Sequence, residues 1–311
     1  MSEEAQRAEW PEEIPAPASA VNAFLAVAIV AGGVALQCLA SRQAARGAWG
    51  ATLALGVAFS FLYLPLYSLL HEAEHRAFHR RRRLNDAFGV FLAAFFPGSF
   101  TFLRACHLGH HRRNRSDAEM FDLYYPTDSL VKKRAAFYAL YLGGFWLTVP
   151  IATVLLVVWP RLLRSQLVQD APGAAAMLGG IPASWLRRIR LECAAVILLH
   201  VGLVVGLGLH PLSYAVLYAL YGLNWSAQQY VTHAASPRHV TNGAHNLKAH
   251  PLYAALLLNF NWHLAHHQHP GVPWIHLPRY DDHTRVRPGY LSAFIRFWRG
   301  PRLTDDHPPP A

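Results

Sequence analysis

His107, His110 and His111 spell H-x-x-H-H, and His263, His266 and His267 spell it again. A third cluster, His71-Glu72-Ala73-Glu74-His75, sets two imidazoles four residues apart, which on a helix is one face and about one turn. Neutral imidazole suits iron, zinc, copper or nickel, and a helical H-x-x-H-H directs its first and third histidines to one side with the middle one beside them. Eight histidines exceed the three or four that a single zinc takes. The economical reading is two adjacent metals.

Positioning such a cluster calls for helices that end near one another. The chain is 53% hydrophobic and only 15% charged, which places it in the membrane class. Apolar runs predict spans over 20–40, 52–70, 191–209 and 212–230, each near the roughly 20 residues that cross a bilayer. The first histidine cluster follows 52–70 directly. Arg76 and the run Arg80 to Arg83 then read as a juxtamembrane basic patch that meets anionic headgroups and marks the cytoplasmic side. Residues 86–103, broken by Pro97 and Gly98, read as an interfacial helix. The segment 136–159 is flanked by Lys132, Lys133 and Arg134 and by Arg161 and Arg164, and is interrupted by Gly143, Gly144 and Pro150. It reads as a re-entrant or interfacial hairpin, because an odd number of crossings would part the third cluster from the other two.

The expected fold is an all-α integral membrane protein. It has four transmembrane helices in two hairpins, with interfacial helices and a cytoplasmic histidine-rich di-metal cap. Residues 1–19 read as a disordered acidic, proline-bearing tail, 20–285 as the membrane domain and 286–311 as a C-terminal tail. The formal charge of +10 sits in short runs beside apolar segments, as the positive-inside rule places it, so no nucleic-acid partner is expected. Cys38, Cys106 and Cys193 are odd in number and imply no disulfide framework. The expected location is a bacterial inner membrane, multi-pass, with the catalytic face cytoplasmic.

In order and spacing the three clusters resemble the histidine boxes of the membrane fatty acid desaturase superfamily, H-x(3,4)-H followed by two copies of H-x(2,3)-H-H. The resemblance runs from about residue 50 to 280 and includes Arg83-Leu84-Asn85-Asp86 after the first box and His269-Pro270-Gly271-Val272-Pro273 after the third. It implies a ligand set of His71, His75, His107, His110, His111, His233, His263, His266 and His267 around two irons, with dioxygen as co-substrate. Gln229 stands where some members place an asparagine that reaches a metal through water. Asp117, Glu119 and Asp122 follow the second box and are candidates to hydrogen-bond distal ring nitrogens, or equally to be solvated charges. His79 and His245 are the next histidines in line. His200, inside an apolar run, reads as a packing residue and His210, at the outer turn, as structural.

The activity implied by the resemblance is fatty acid desaturation, a C=C bond introduced into an acyl-lipid, acyl-CoA or acyl-carrier chain. The alternatives inside the superfamily are a lipid or alkyl hydroxylase and a carotenoid ketolase or hydroxylase. Outside it stands a non-enzymatic membrane metal-binding or transport protein, whose polar ligands would sit at mid-membrane instead of at span ends. The chain has no H-P-G-G haem motif and no G-x-G-x-x-G fingerprint after a strand. A separate electron donor is therefore expected: ferredoxin, rubredoxin or cytochrome b5 with its reductase.

Overall fold

The computed structural model describes residues 14–170, 172–282 and 285–304, so residues 1–13 and 305–311 of the two expected tails lie outside the described residues. Helix α1 (Ser19–Ala45) turns at Gly47 into α2 (Trp49–Leu62), which continues across Tyr63 into α3 (Leu64–Glu74). Together Trp49–Glu74 makes one apolar helix of 26 residues, and the first histidine box occupies its last turn. Asn22 of α1 donates to the Phe78 carbonyl (2.8 Å) and accepts from Trp274 Nε1 (2.9 Å), tying the first helix to the segments that leave the first and third boxes.

Helices α4 (Arg82–Phe95) and α5 (Phe100–Arg113) are bent by 97° across a short break. They approach closely because Gly89 faces the Phe100 ring, where a Cβ would come within 2.4 Å. The expected single interfacial helix is thus a sharply bent pair, and what holds the bend is visible at its tip. The break frees backbone carbonyls that no water reaches in a bilayer, and side chains of three other helices satisfy them. Thr153 Oγ1 donates to Pro97 O (2.8 Å), His200 Nε2 to Ala94 O (2.9 Å) and Tyr218 Oη to Phe95 O (3.4 Å). The N-terminus of α5 is capped twice: Ser99 Oγ accepts from Phe102 N (3.2 Å), and the Glu192 carboxylate accepts from Thr101 N (2.9 Å). The second box forms the other end of the same helix.

The chain then passes through strand β1 (Leu123–Tyr124) to α6 (Leu130–Ala139), a π-helical turn at Leu140–Gly144, and α7 (Phe145–Val158). Gly143, at φ +109°, makes the break between the two helices, a conformation a side chain would strain. Two short helices follow, α8 (Gln166–Gln169) and α9 (Pro172–Leu178), then α10 (Leu186–Gly206) and α11 (Pro211–Ser226). Short helices α12 (Pro251–Leu256), α13 (His263–Gln268) and α14 (Tyr290–Phe297) complete the cap, and strand β2 (Arg302–Leu303) pairs in parallel with β1.

Among the described residues, four helices are long and apolar enough to cross a membrane: Ser19–Ala45, Trp49–Glu74, Leu130–Val158 and Ala183–Gly206. The number matches the expected four, but the identity differs at one place. Helix α11, expected to span, has 16 residues and falls short of the usual length, whereas the segment expected to be re-entrant meets it. Helix α11 runs parallel to α2 along its whole length, from the His210 ring against Trp49 to Asn224 Nδ2 donating to Ser60 Oγ (3.1 Å). The segment Leu130–Val158 keeps both ends beside histidine-bearing elements: Tyr141 packs against Tyr230, and Leu156 joins a cluster with Phe102 and Ala105 of α5.

The stretch after residue 286, expected as a tail, is packed where it is described. Phe297 of α14 is buried against Phe137, Tyr141 and Tyr230. Its sequence is short and aromatic, which periodicity alone does not separate from a polar tail.

Candidate metal centre

Nine histidines converge at the end of the bundle where α3, α5 and α13 meet the segment after α11. They fall into two groups, each with its ligand atoms within 4.8 Å of one another: His71, His75, His107, His111 and His266 in one, His110, His233, His263 and His267 in the other. Helical geometry explains the division. Residues four apart on a helix share a face and the residue three along is rotated off it. On α5, His107 and His111 therefore join the first group while His110 joins the second. On α13 the roles reverse, with His263 and His267 in the second group and His266 in the first. The two groups are adjacent, the His111 and His267 rings stacking at 4.3 Å.

The donor atoms approach too closely to be explained by packing alone. His75 Nε2 lies 2.6 Å from His107 Nε2, His107 Nε2 3.2 Å from His111 Nε2, His111 Nε2 3.0 Å from His266 Nε2, and His233 Nε2 3.0 Å from His263 Nε2. Nitrogens about 2.1 Å from one metal and at right angles to each other stand about 3.0 Å apart. Buried His71 Nε2 and both ring nitrogens of His267 have no hydrogen-bond partner in the protein. Converging buried lone pairs of this kind are satisfied by a cation, and the residues fit a pair of metal ions.

Their protonation suits that role. Burial first, and then the neighbouring imidazoles, hold His233, His263, His266 and His267 well below the usual imidazole range. Burial and the Arg104 charge bring His75 down to about 3. These rings are neutral at physiological pH, the form that ligates. Distal contacts fix which nitrogen faces inward. His233 Nδ1 donates to Gly243 O (2.8 Å) and His110 Nδ1 to Glu119 Oε2 (2.5 Å), leaving both Nε2 atoms for the centre.

The acidic candidates separate cleanly. Glu119, buried, reaches His110. Asp117 instead accepts from Tyr125 Oη (2.7 Å) and pairs with Arg238, and Asp122 pairs with buried Arg115. Gln229 is in neither histidine group and lines a small cavity next to them with Tyr67, Trp225 and Phe260. His79 and His245 are outside both groups; His79 Nδ1 accepts from Arg81 N in a local turn.

Sequence reasoning missed the residues that hold the boxes against one another. Glu72 Oε2 accepts from Trp274 N (3.1 Å), and Glu74 Oε2 lies 4.0 Å from His107 Nδ1. Both acids stand inside the H-E-A-E-H pattern, a signal that was there to be used. Asn246 Oδ1 accepts from Ala265 N (3.0 Å) and its amide donates to Asp281 Oδ1 (2.6 Å), fixing α13. Nothing local marks Asn246 in advance.

No curated protein compared with the chain matches it. A family model does, over residues 46–299, and its description is fatty acid desaturase. That match takes in all three boxes, His233 and α14, and by it this chain belongs to the fatty acid desaturase family, a family of membrane oxidoreductases.

Proposed function

We propose that the protein is an oxygen-dependent, non-haem di-iron oxidoreductase that introduces a C=C bond into the acyl chain of a lipid. The observation that carries this reading is the sorting of nine inward-facing histidines into two adjacent groups. A bound iron pair would supply the activation of dioxygen, chemistry that no side chain of the protein provides. Desaturation consumes two hydrogens of the substrate, one dioxygen, two protons and two electrons and yields two waters, so a one-electron donor protein with its reductase completes the system.

The chain's own residues bind, orient and exclude water. Glu119 and the Gly243 carbonyl orient His110 and His233. Phe260 walls the centre on the membrane side, its ring 5.1 Å from His71 and 4.6 Å from His263, and Tyr67 adds a ring 6.4 Å from His71. Between these rings, Leu64 and Leu257 lies the cavity that a methylene segment would enter. Its rim is polar: Tyr290 Oη donates to Gln228 Oε1 (3.1 Å), Tyr253 Oη donates to the same oxygen, and Gln228 donates to Asn224 Oδ1 (2.6 Å). Of the nearby aromatic residues, Trp225 faces this cavity, Phe59, Tyr63 and Phe95 are core, and Trp262 stacks under Arg287.

In the topology that goes with this reading, α1, α2–α3, α10 and α11 cross the bilayer and Leu130–Val158 enters and returns. All boxes then share the cytoplasmic face. The test is metal content of detergent-purified protein by mass spectrometry, paired with lipid analysis of expressing cells. Two irons per chain with lipids lacking two hydrogens supports desaturation. Two irons with one added oxygen assigns hydroxylation instead. A single zinc in folded, full-length protein would overturn the oxidoreductase mechanism proposed.

A further inference from the structure

Behind the first two boxes lies a basic cavity that the metal centre does not use. Arg76, directly after His75, Arg82 of α4, Arg104 of α5 and Arg188 of α10 face a common space of about 370 Å³. One lining carboxylate opposes them, Asp86, 3.9 Å from Arg104. The other nearby acids are shared with further partners. Glu192 accepts from Ser99 and Thr101 as well as from Arg188, and the Glu74 carboxylate faces His107. Arg104 is anchored by its Nε, which donates to Glu74 O (2.8 Å), and it feels Arg76 and Arg82 as like charges against the opposite charges of Asp86 and Glu74. Arg76 is held at φ +62°, a left-handed conformation unfavourable to a residue with a side chain. Four guanidinium groups from four separate segments thus converge without enough carboxylate to neutralise them.

Guanidinium forks match phosphate oxygens in geometry, and basic pockets between membrane helices at the headgroup level take anionic lipids. What lies beside the cavity favours a lipid as the source. Arg188 stands in the first turn of α10, and from there Leu191, Leu198 and Val205, seven residues apart, run down one exposed face of that helix. Trp185, 41% exposed, sits at the mouth, where an indole is favoured at a membrane interface. We propose that this cavity is a phosphate-binding site formed by Arg76, Arg82, Arg104 and Arg188, and that the phosphate is that of an anionic phospholipid whose chains lie along α10. Of the arginine run Arg80 to Arg83, Arg82 alone lines it. The bound phosphate joins the end of the first box to the helix of the second. The inference depends on the membrane setting and not on which reaction the centre performs.

Full-length protein is incubated with vesicles of phosphatidylglycerol or of phosphatidylcholine, repurified in detergent, and its retained lipid measured by mass spectrometry. Wild type retains phosphatidylglycerol selectively. Arg82→Gln and Arg104→Gln each weaken retention about fivefold, the worth of one arginine near an anionic surface. The double variant Arg81→Gln/Arg83→Gln removes more charge from the same run but none from the cavity, and retains lipid as wild type does. Arg82 is exposed at the start of α4, so its variant reports on the site even if Arg104→Gln fails to fold. Thermal stabilisation of wild type but not of Arg82→Gln by inorganic phosphate, without selectivity for phosphatidylglycerol, keeps the phosphate site and assigns it to a soluble phosphate. Equal loss in cavity and control variants, or neither lipid selectivity nor a phosphate effect, overturns the site.

Discussion

Glu119 places its Oε2 2.5 Å from His110 Nδ1 while Arg113 pairs with its other oxygen at 3.2 Å, so one buried carboxylate both orients a ligand and answers a charge. The contact sets the His110 tautomer and raises the basicity of the nitrogen that faces the centre. Replacing Glu119 by Ala should lower metal affinity about 10–100-fold, the usual loss when such an outer partner is removed. Glu119→Gln keeps an acceptor and should lose less. Metal retained against a graded chelator measures both; unchanged retention in Glu119→Ala would leave the carboxylate as a partner of Arg113 alone.

The division into five and four histidines predicts unequal consequences for ligands of the two groups. His267→Ala leaves His110, His233 and His263 in its group, whereas His71→Ala leaves four in the other. Metal content in His267→Ala should fall toward half of wild type, with the first group still loaded. His71→Ala should hold both ions more loosely without halving them. Metal-to-protein ratios decide, and identical ratios in the two variants would show that the nine nitrogens bind as one undivided cluster.

Asp117 and Asp122 flank Glu119 in sequence and yet have different work. Asp122 pairs with Arg115, both nearly inaccessible, and Arg115 also donates to Tyr230 Oη (2.8 Å) and Ser236 O (3.0 Å). Asp122→Asn breaks a buried ion pair and should cost about 3–5 kcal/mol of stability. Asp117 is 42% exposed beside Arg238, so Asp117→Asn should change stability and metal content little. Thermal denaturation and metal analysis of both variants test this, and loss of metal in Asp117→Asn with its fold intact would return Asp117 to the centre.

The boxes could be read from the sequence because their information is local: one face of a helix is fixed by spacing of three and four. His233 sits on no such pattern and came forward only through likeness to a family. The three acids after the second box could not be ranked by distance along the chain, since Arg115 at φ +61° turns the backbone and sends Asp117 away from the histidines while Glu119 comes back. The bent pair α4–α5 was marked by Pro97 and Gly98, but its tip is held by Thr153, His200 and Tyr218, which lie far off in sequence. Helix α11 differs from expectation because the apolar run 212–230 continues past the point where the helix ends, at Ser226. A helix of 16 residues is judged short alone, but α2 beside it shows how far it runs.

His200 and His210 make the last contrast, because both lie away from the centre and only one sits among apolar helices. His200 reaches Ala94 O at the tip of the bent pair through Nε2 and accepts from Tyr214 Oη (2.6 Å) through Nδ1. Its removal strands a carbonyl where no water replaces the donor, a cost of about 1–3 kcal/mol. Since α5 carries the second box, His200→Ala should also loosen His107, His110 and His111 together, and metal loss should accompany the fall in melting temperature. His210 caps α11, its Nδ1 accepting from Ser213 N at 3.4 Å, and its ring meets Trp49 at the opposite end of the bundle. His210→Ala gives up a weak cap, about 1 kcal/mol or less, and should keep full metal content. Melting curves and metal ratios on the same two preparations test both statements. Metal loss in His210→Ala would place that turn near the histidines and overturn the topology, while an unaffected His200→Ala would mean that the tip of α4–α5 does not govern the second box.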